Sequence, residues 1–341
     1  MTKSSDSARL IKDPLPNKTV WKLLVNPKSS KCNDRPKPNA NDVINYIQNM
    51  GIIGVGWGIS ECDPANNDFM VAYSRAANKY STKKSGFSNV RRFVNEMKIG
   101  DFVWVRRGHT YMFFVVTGEP EYQCGEEWDC YDFHFIRKAK MVAKSTDIPI
   151  GPVVTAFSRP ARTLERFGNH KELIKLYSWA VCSENDCKLC PPLDQQHLVY
   201  LKGQLGRDTT LLNLLSPEAL EDAVGMYLQV REKYIFVPSS RNRKGNTPKF
   251  EYLLIDPEAS SPEKSIISVQ VKTGALNVSE YSNNGRWVLF SRDFELKNVN
   301  NNIEIIQKKD LETFLWDNEH LFTLEMRTWA NFLRKYNLVS K

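Results

Sequence analysis

The chain has 341 residues, 41% of them apolar and 25% charged, and its 47 Lys and Arg against 39 Asp and Glu give a formal charge of +8. That apolar share excludes a mostly disordered chain, and at roughly 100–200 residues per domain the length points to two domains. No apolar run approaches the ~20 residues needed to span a bilayer, seven cysteines are too sparse for a disulfide scaffold, and the cationic balance suits a polyanionic partner such as nucleic acid.

Residues 1–18 are polar and proline-punctuated and read as a mobile tail. With no apolar h-region after Met1, the expectation is a cytoplasmic protein. Apolar patterning then predicts a strand over 20–25, a helix over 42–50 capped by Asn41 or Asp42, and a strand over 52–59. A helix over 89–97 follows, and a turn at 98–101 launches strands over 102–107 and 111–119, with another at 133–142. This first domain, 19–150, lacks a repeated βαβ rhythm and reads as a curved β-sheet with flanking helices. Residues 151–207 read as a linker subdomain, with a helix over 165–179 and a cysteine cluster.

From 208 to 341 the order becomes helix, strand, strand, strand. Ser216-Pro217-Glu218 has the chemistry of a helix start: a hydroxyl cap, proline at the first position and an acid in the first turn. Leu220, Ala223, Val224, Tyr227 and Leu228 form its apolar stripe. Strands are expected over 234–238, 250–255, 266–272 and 287–291, then helices over 310–316 and 321–336. The fold class expected is a two-domain α+β and α/β chain, its second domain a mixed sheet with helices.

The main chemical signal lies on the hairpin expected from the strands over 250–255 and 266–272. With its turn centred between Ser260 and Ser261, Glu251 stands opposite Gln270. Side chains alternate along a strand, so Gln270 and Lys272 share a face, and this register puts Glu251 on it too. Asp256 falls about five residues, roughly 17 Å, farther along and on the opposite face, although a one-residue slip would reverse this. A carboxylate and an amide suit a Mg²⁺ (or Mn²⁺) that keeps several waters, and a lysine can orient water or stabilise charge during phosphodiester hydrolysis. The bland alternative is an ordinary solvated hairpin face. The basic run Arg241-Asn242-Arg243-Lys244 before the hairpin offers Arg241, Arg243 and Lys244 for phosphate contacts.

Glu251 followed by Gln270-Val271-Lys272, behind an acidic amphipathic helix, resembles the PD-(D/E)xK nuclease superfamily in its Q-x-K form over about 210–300. Lys249-Phe250-Glu251 replaces Pro-Asp, and Gln270 replaces the second acid. The resemblance implies catalytic roles for Glu251, Gln270 and Lys272, with Glu221 of the helix joining the metal shell.

In the first domain Gly54-Val55-Gly56-Trp57-Gly58 is too short for a dinucleotide fingerprint. Its glycines would let a turn pass close to a ligand while presenting an indole face. With Phe93-Val94-Asn95-Glu96-Met97-Lys98-Ile99-Gly100-Asp101-Phe102-Val103-Trp104-Val105 and Val116-Thr117-Gly118-Glu119-Pro120-Glu121-Tyr122, it resembles the EVE branch of the PUA-like fold over about 18–145. That resemblance implies an aromatic pocket for a flipped-out modified base. Trp57 is the first candidate, followed by Tyr73, Trp104 and Tyr122, with core packing the rival reading for each. Arg91 and Arg92 could contact phosphates or form a solvated helix face.

Cys182-x4-Cys187-x2-Cys190 with His197 offers four ligands for a structural Zn²⁺, although reduced, unligated cysteines fit as well. No G-x-x-x-x-G-K-[ST] loop is present, so no nucleotide triphosphate is expected. Together these readings predict a modification-dependent, type IV-like restriction endonuclease acting in phage defence. It would read 5-methyl- or 5-hydroxymethylcytosine in double-stranded DNA and cut nearby with Mg²⁺ as a homodimer. The alternative is a non-catalytic or partner-dependent binder of modified DNA or RNA.

Overall fold

The computed structural model describes residues 18–25, 38–56, 71, 73, 85–145, 149–158, 163–168, 171–185, 187–190, 192–205, 210–240, 250–281, 285–297 and 301–338. The chain divides into two compact units, one of residues 13–197 and one containing 198–341. Both mix helix and sheet, as expected. Among the described residues no helix is long and apolar enough to cross a membrane.

The first unit is built on β1 (Val20–Leu24), β2 (Ile52–Val55), β3 (Phe102–Arg107), β4 (Thr110–Tyr122), β5 (Phe135–Ser145) and β6 (Leu164–Arg166), in the sheet order β2-β5-β4-β3-β1-β6. β1 runs parallel to β3, and the other pairs are antiparallel. β4 slips register against β5 at Phe113/Phe114 and at Val116/Pro120. Such irregularities bend and twist a strand, and the sheet curls into a half-barrel. Its inner face packs Trp21, Val103, Val105, Phe114 and Phe135 against Val43, Ile44 and Ile47 of α1 (Ala40–Met50).

The cap of α1 is Asn39, not Asn41 or Asp42. Its side chain accepts from the backbone of both Asn41 and Asp42, and Asp42 accepts from the Asn39 N–H in return, a reciprocal capping box. The helix expected over 89–97 is two pieces, α2 (Ser85–Arg91) and a π-helical turn, Arg92–Glu96. Arg137, buried on β5, is bound to this turn: it donates to the carbonyls of Phe93, Val94 and Met97 at 2.8–3.0 Å and to Gly118 of β4 at 3.0 Å.

On the outer face Phe102 and Trp104, both packed on Phe113, meet α3 (Lys171–Glu184) through Trp179, Tyr177 and Ser178. The helix expected over 165–179 therefore starts later, and Leu164–Arg166 is a strand instead. Leu164 stands opposite Leu23 and is fully buried, so pairing with β1 overrides the local helical pattern.

The second unit has β7 (Ile235–Phe236), β8 (Tyr252–Ile255), β9 (Ile266–Lys272), β10 (Arg286–Ser291) and β11 (Ile303–Ile305) in the order β11-β10-β9-β8-β7. The first three form an antiparallel meander, and β10 and β11 continue in parallel. The three-residue strand β11 was not foreseen. α4 (Pro217–Val230) starts as its sequence dictates, with Ser216 accepting from the Ala219 N–H, and it buries the expected stripe from Leu220 to Leu228. Tyr252 of β8 donates its hydroxyl to the Glu221 carbonyl at 3.1 Å, tying α4 to the sheet. The chain ends in α5 (Lys308–Asp317) and α6 (Leu324–Lys335). Glu325 of α6 is buried and accepts from both the N–H and the hydroxyl of Ser216, at 2.7 and 2.9 Å.

Candidate active site

The hairpin has the register expected from its sequence. Tyr252 pairs with Val269 and Ile255 with Ile266, and the Glu251 N–H extends the ladder to the Val269 carbonyl at 2.8 Å. Glu251, Gln270 and Lys272 meet as a result. The Gln270 amide donates to Glu251 Oε1 at 2.5 Å, and Lys272 Nζ lies 3.4 Å from the same oxygen. Exposure rises across the cluster, with Gln270 at 3%, the Glu251 side chain at 27% and that of Lys272 at 49%. A buried amide thus fixes a carboxylate whose cationic partner faces solvent.

Asp256 does not join them. It pairs with Arg286 of β10 at 2.6 Å, and this guanidinium holds its carboxyl below the usual carboxylate range. Glu221 is half-buried on α4, where the Tyr252 bond to its carbonyl links its helix turn to the residue beside Glu251.

The lysine end of β9 is anchored from β10. Ser291 pairs with Lys272, the Arg292 N–H donates to the Lys272 carbonyl at 3.0 Å, and the Ser291 hydroxyl donates to the Gly274 carbonyl. Beyond this end lies a cleft of about 560 Å³ lined in part by Arg292, Lys308 and Lys309 and by the acids Asp293, Glu295 and Glu312. Arg292 is occupied by Asp293 and the Leu215 carbonyl. The lysines belong to the first turn of α5, where the helix dipole disfavours cations. Sequence reading missed them, although that unfavourable placement was the signal available.

Of the aromatic candidates, Trp57 lies outside the described residues. Trp104 is corrected to a core residue: it is 5% exposed, stacks on Phe113 and Tyr177 with centroids 4.7 and 6.0 Å away, and donates its indole N–H to Ser178 at 2.9 Å. Tyr73 is fully buried, edge-on to Phe135 at 4.9 Å, so it too offers no open ring face. Tyr122, edge-on to the same Phe135 at 5.0 Å, is half-buried. The glycines before Trp57 serve packing. A Cβ on Gly54 would lie 2.7 Å from the Phe133 ring, and Gly56 has φ +87° with Val90, Phe135 and Tyr73 within 3.0–3.2 Å of such a carbon. The side chains filling that space are the protein's own rather than a ligand. Arg91 is exposed and Arg92 half-buried, while Arg241, Arg243 and Lys244 lie outside the described residues.

The cysteine cluster forms, with a smaller ligand set among the described residues than expected. Cys182, Cys187 and Cys190 bring their sulfurs within 4.8 Å of one another and could hold a metal ion. His197 stands apart from them. Asp194, which caps the helix Gln195–Leu205, accepts the His197 N–H at 2.9 Å and contacts its ring Nδ1 at 2.7 Å.

A family profile described as a domain of unknown function, DUF8426, matches residues 33–167. No curated protein and no solved structure matches the chain.

Proposed function

We propose that the chain is a Mg²⁺-dependent endonuclease selective for DNA carrying a modified cytosine, with the second unit as the PD-(D/E)xK-like cutter and the first as the EVE-like reader. The observation that carries this is the meeting of Glu251, Gln270 and Lys272 on one hairpin face, behind helix α4.

The donor set fits a hard cation that keeps most of its water, since it offers a carboxylate and an amide oxygen once the Gln270 side chain turns its carbonyl inward. Glu251 and Gln270 would hold it, with Glu221 reaching in from α4. When bound, the cation supplies Lewis-acid polarisation of the phosphoryl group and neutralises its charge. Lys272, paired only at 3.4 Å and half-exposed, is free to exchange Glu251 for a phosphate oxygen or an attacking water. The Glu251 carboxylate fixes that ammonium until substrate arrives. Lys308 and Lys309 at the cleft beside the Lys272 strand end can follow the flanking backbone, together with Arg241, Arg243 and Lys244 before the hairpin.

In the first unit Trp57 and the half-buried Tyr122 are the remaining stacking candidates, and Arg91 and Arg92 the remaining phosphate contacts. Reading one base and cutting at a distance suit separate units, because cleavage needs only backbone access. Cutting both strands takes two centres, hence a homodimer, permanent or formed on DNA. The setting would be cytoplasmic defence against foreign DNA.

Glu251→Gln tests the cutter. Duplex DNA bearing 5-methylcytosine should be nicked by the wild-type chain with Mg²⁺, and roughly 10²–10³-fold more slowly by the variant, as for loss of one charge-stabilising group. Binding of that DNA without any Mg²⁺-dependent nicking by the wild type would favour the non-catalytic or partner-dependent binder instead.

A further inference from the structure

We propose that Cys182, Cys187 and Cys190 bind one Zn²⁺ as three thiolates, with the fourth position taken by a water molecule and not by His197. The sequence suggests four protein ligands, but among the described residues the fold brings three together. Cys182 lies in the last turn of α3, and the next residues fold back on it: the Cys187 N–H donates to the Cys182 carbonyl at 3.0 Å, and the Cys190 N–H to the Cys187 carbonyl at 2.9 Å. These bonds converge the three sulfurs to within 4.8 Å. Zn–S bonds of about 2.3 Å place tetrahedral sulfurs roughly 3.8 Å apart, so closing on the ion takes a contraction of no more than about 1 Å.

His197 is held by Asp194, as described above. Cys190 is half-buried where Cys182 and Cys187 are buried, so a water would reach the ion from its side of the cluster. The charge also balances. Three thiolates around a divalent cation leave one negative charge, and Lys18 provides the complement. Its Nζ donates to the carbonyl of Leu189, the residue before Cys190, at 3.2 Å, over the rings of Phe102 and Trp179. On binding, each thiol loses its proton to solvent and each sulfur gains a bond to zinc, with no change of oxidation state.

The consequence is structural. The ion would pin the C-terminal turn of α3, the helix that carries Ser178 and Trp179 against the outer face of the half-barrel. This site is independent of the nuclease proposal, and its test does not read cleavage.

The full-length chain, purified reduced, should contain one zinc per molecule by inductively coupled plasma mass spectrometry. After the zinc is stripped, added Co²⁺ should give the thiolate-to-cobalt charge-transfer band. Cys187→Ser and Cys190→Ser should lose most of the metal, whereas His197→Ala and Cys124→Ser should keep it. Wild-type protein with neither zinc nor a cobalt–thiolate band would overturn the proposal, whatever the variants do and however well they fold. A native disulfide within the trio would overturn it as well. Loss of metal in His197→Ala equal to that in the cysteine variants would overturn the ligand set.

Discussion

Gln270 donates its side-chain amide to Glu251 at 2.5 Å, at the place where a second carboxylate would have to share a proton with the first. With Lys272 beside it, the cluster holds one negative and one positive charge. In the proposed nuclease the cation would therefore depend on the DNA phosphate for much of its affinity. Isothermal titration with Mn²⁺ should show weak binding to the free protein, and Gln270→Glu should tighten it on the order of tenfold, since ligand charge sets the affinity of such sites. Equal affinity in the two proteins would remove the metal role from Gln270.

Glu251 and Asp256 differ in what they do. The Arg286 guanidinium already satisfies Asp256, so Asp256→Asn should leave cleavage within a few-fold and cost about 1 kcal/mol in urea denaturation, as expected for a pair near the surface. Glu251→Gln should do the reverse, removing cleavage with little loss of stability. Exchanged outcomes would move the metal site to the other end of the hairpin.

Burial pushes the Glu325 carboxyl up to about 7, against the lowering effect of its two bonds from Ser216. The folded value exceeds the unfolded one, so between about pH 4.5 and 7 the folded state binds the extra proton. The resulting stability is complete below that window and is lost as pH rises through 7. The full effect is roughly 3 kcal/mol. Urea midpoints for unfolding of the second unit should fall between pH 5 and 8, and Glu325→Gln, which imitates the protonated side chain, should flatten that slope. An unchanged slope in the variant would refute the assignment.

Trp104 and Trp57 should separate cleanly. Trp104→Ala removes a stacked indole and leaves Ser178 without its donor, so it should cost about 3–5 kcal/mol in thermal or urea unfolding. Trp57→Ala should preserve stability and reduce the preference for modified over unmodified duplex in a binding assay. A stable Trp104→Ala protein with lost selectivity would return that residue to the pocket.

What the sequence made legible was local or arithmetic. Ser216-Pro217-Glu218 announced α4 because capping chemistry acts within one turn. The Glu251–Gln270 pairing followed from a short polar turn that fixed the register. The three cysteines lie within nine residues of one another and fold together through their own backbone bonds. What stayed hidden depends on distant partners. Trp104 is committed by Ser178, which decides between the pocket and the core reading that its strand left open, and Leu164 by Leu23, which no local pattern announces. The π-helical turn rests on Arg137, which is about 40 residues farther along the chain. His197 was different, because Asp194 three residues earlier marked a helix cap able to claim it.

The most direct measurement is cleavage of three matched plasmids, unmodified, 5-methylcytosine-containing and 5-hydroxymethylcytosine-containing, with Mg²⁺ or EDTA, by wild-type chain and Lys272→Ala. The account predicts cutting of modified plasmid only, only with Mg²⁺, and reduced about 10²-fold or more in Lys272→Ala. Cutting of all three plasmids alike would contradict the reader, and wild-type binding without cutting would contradict the cutter.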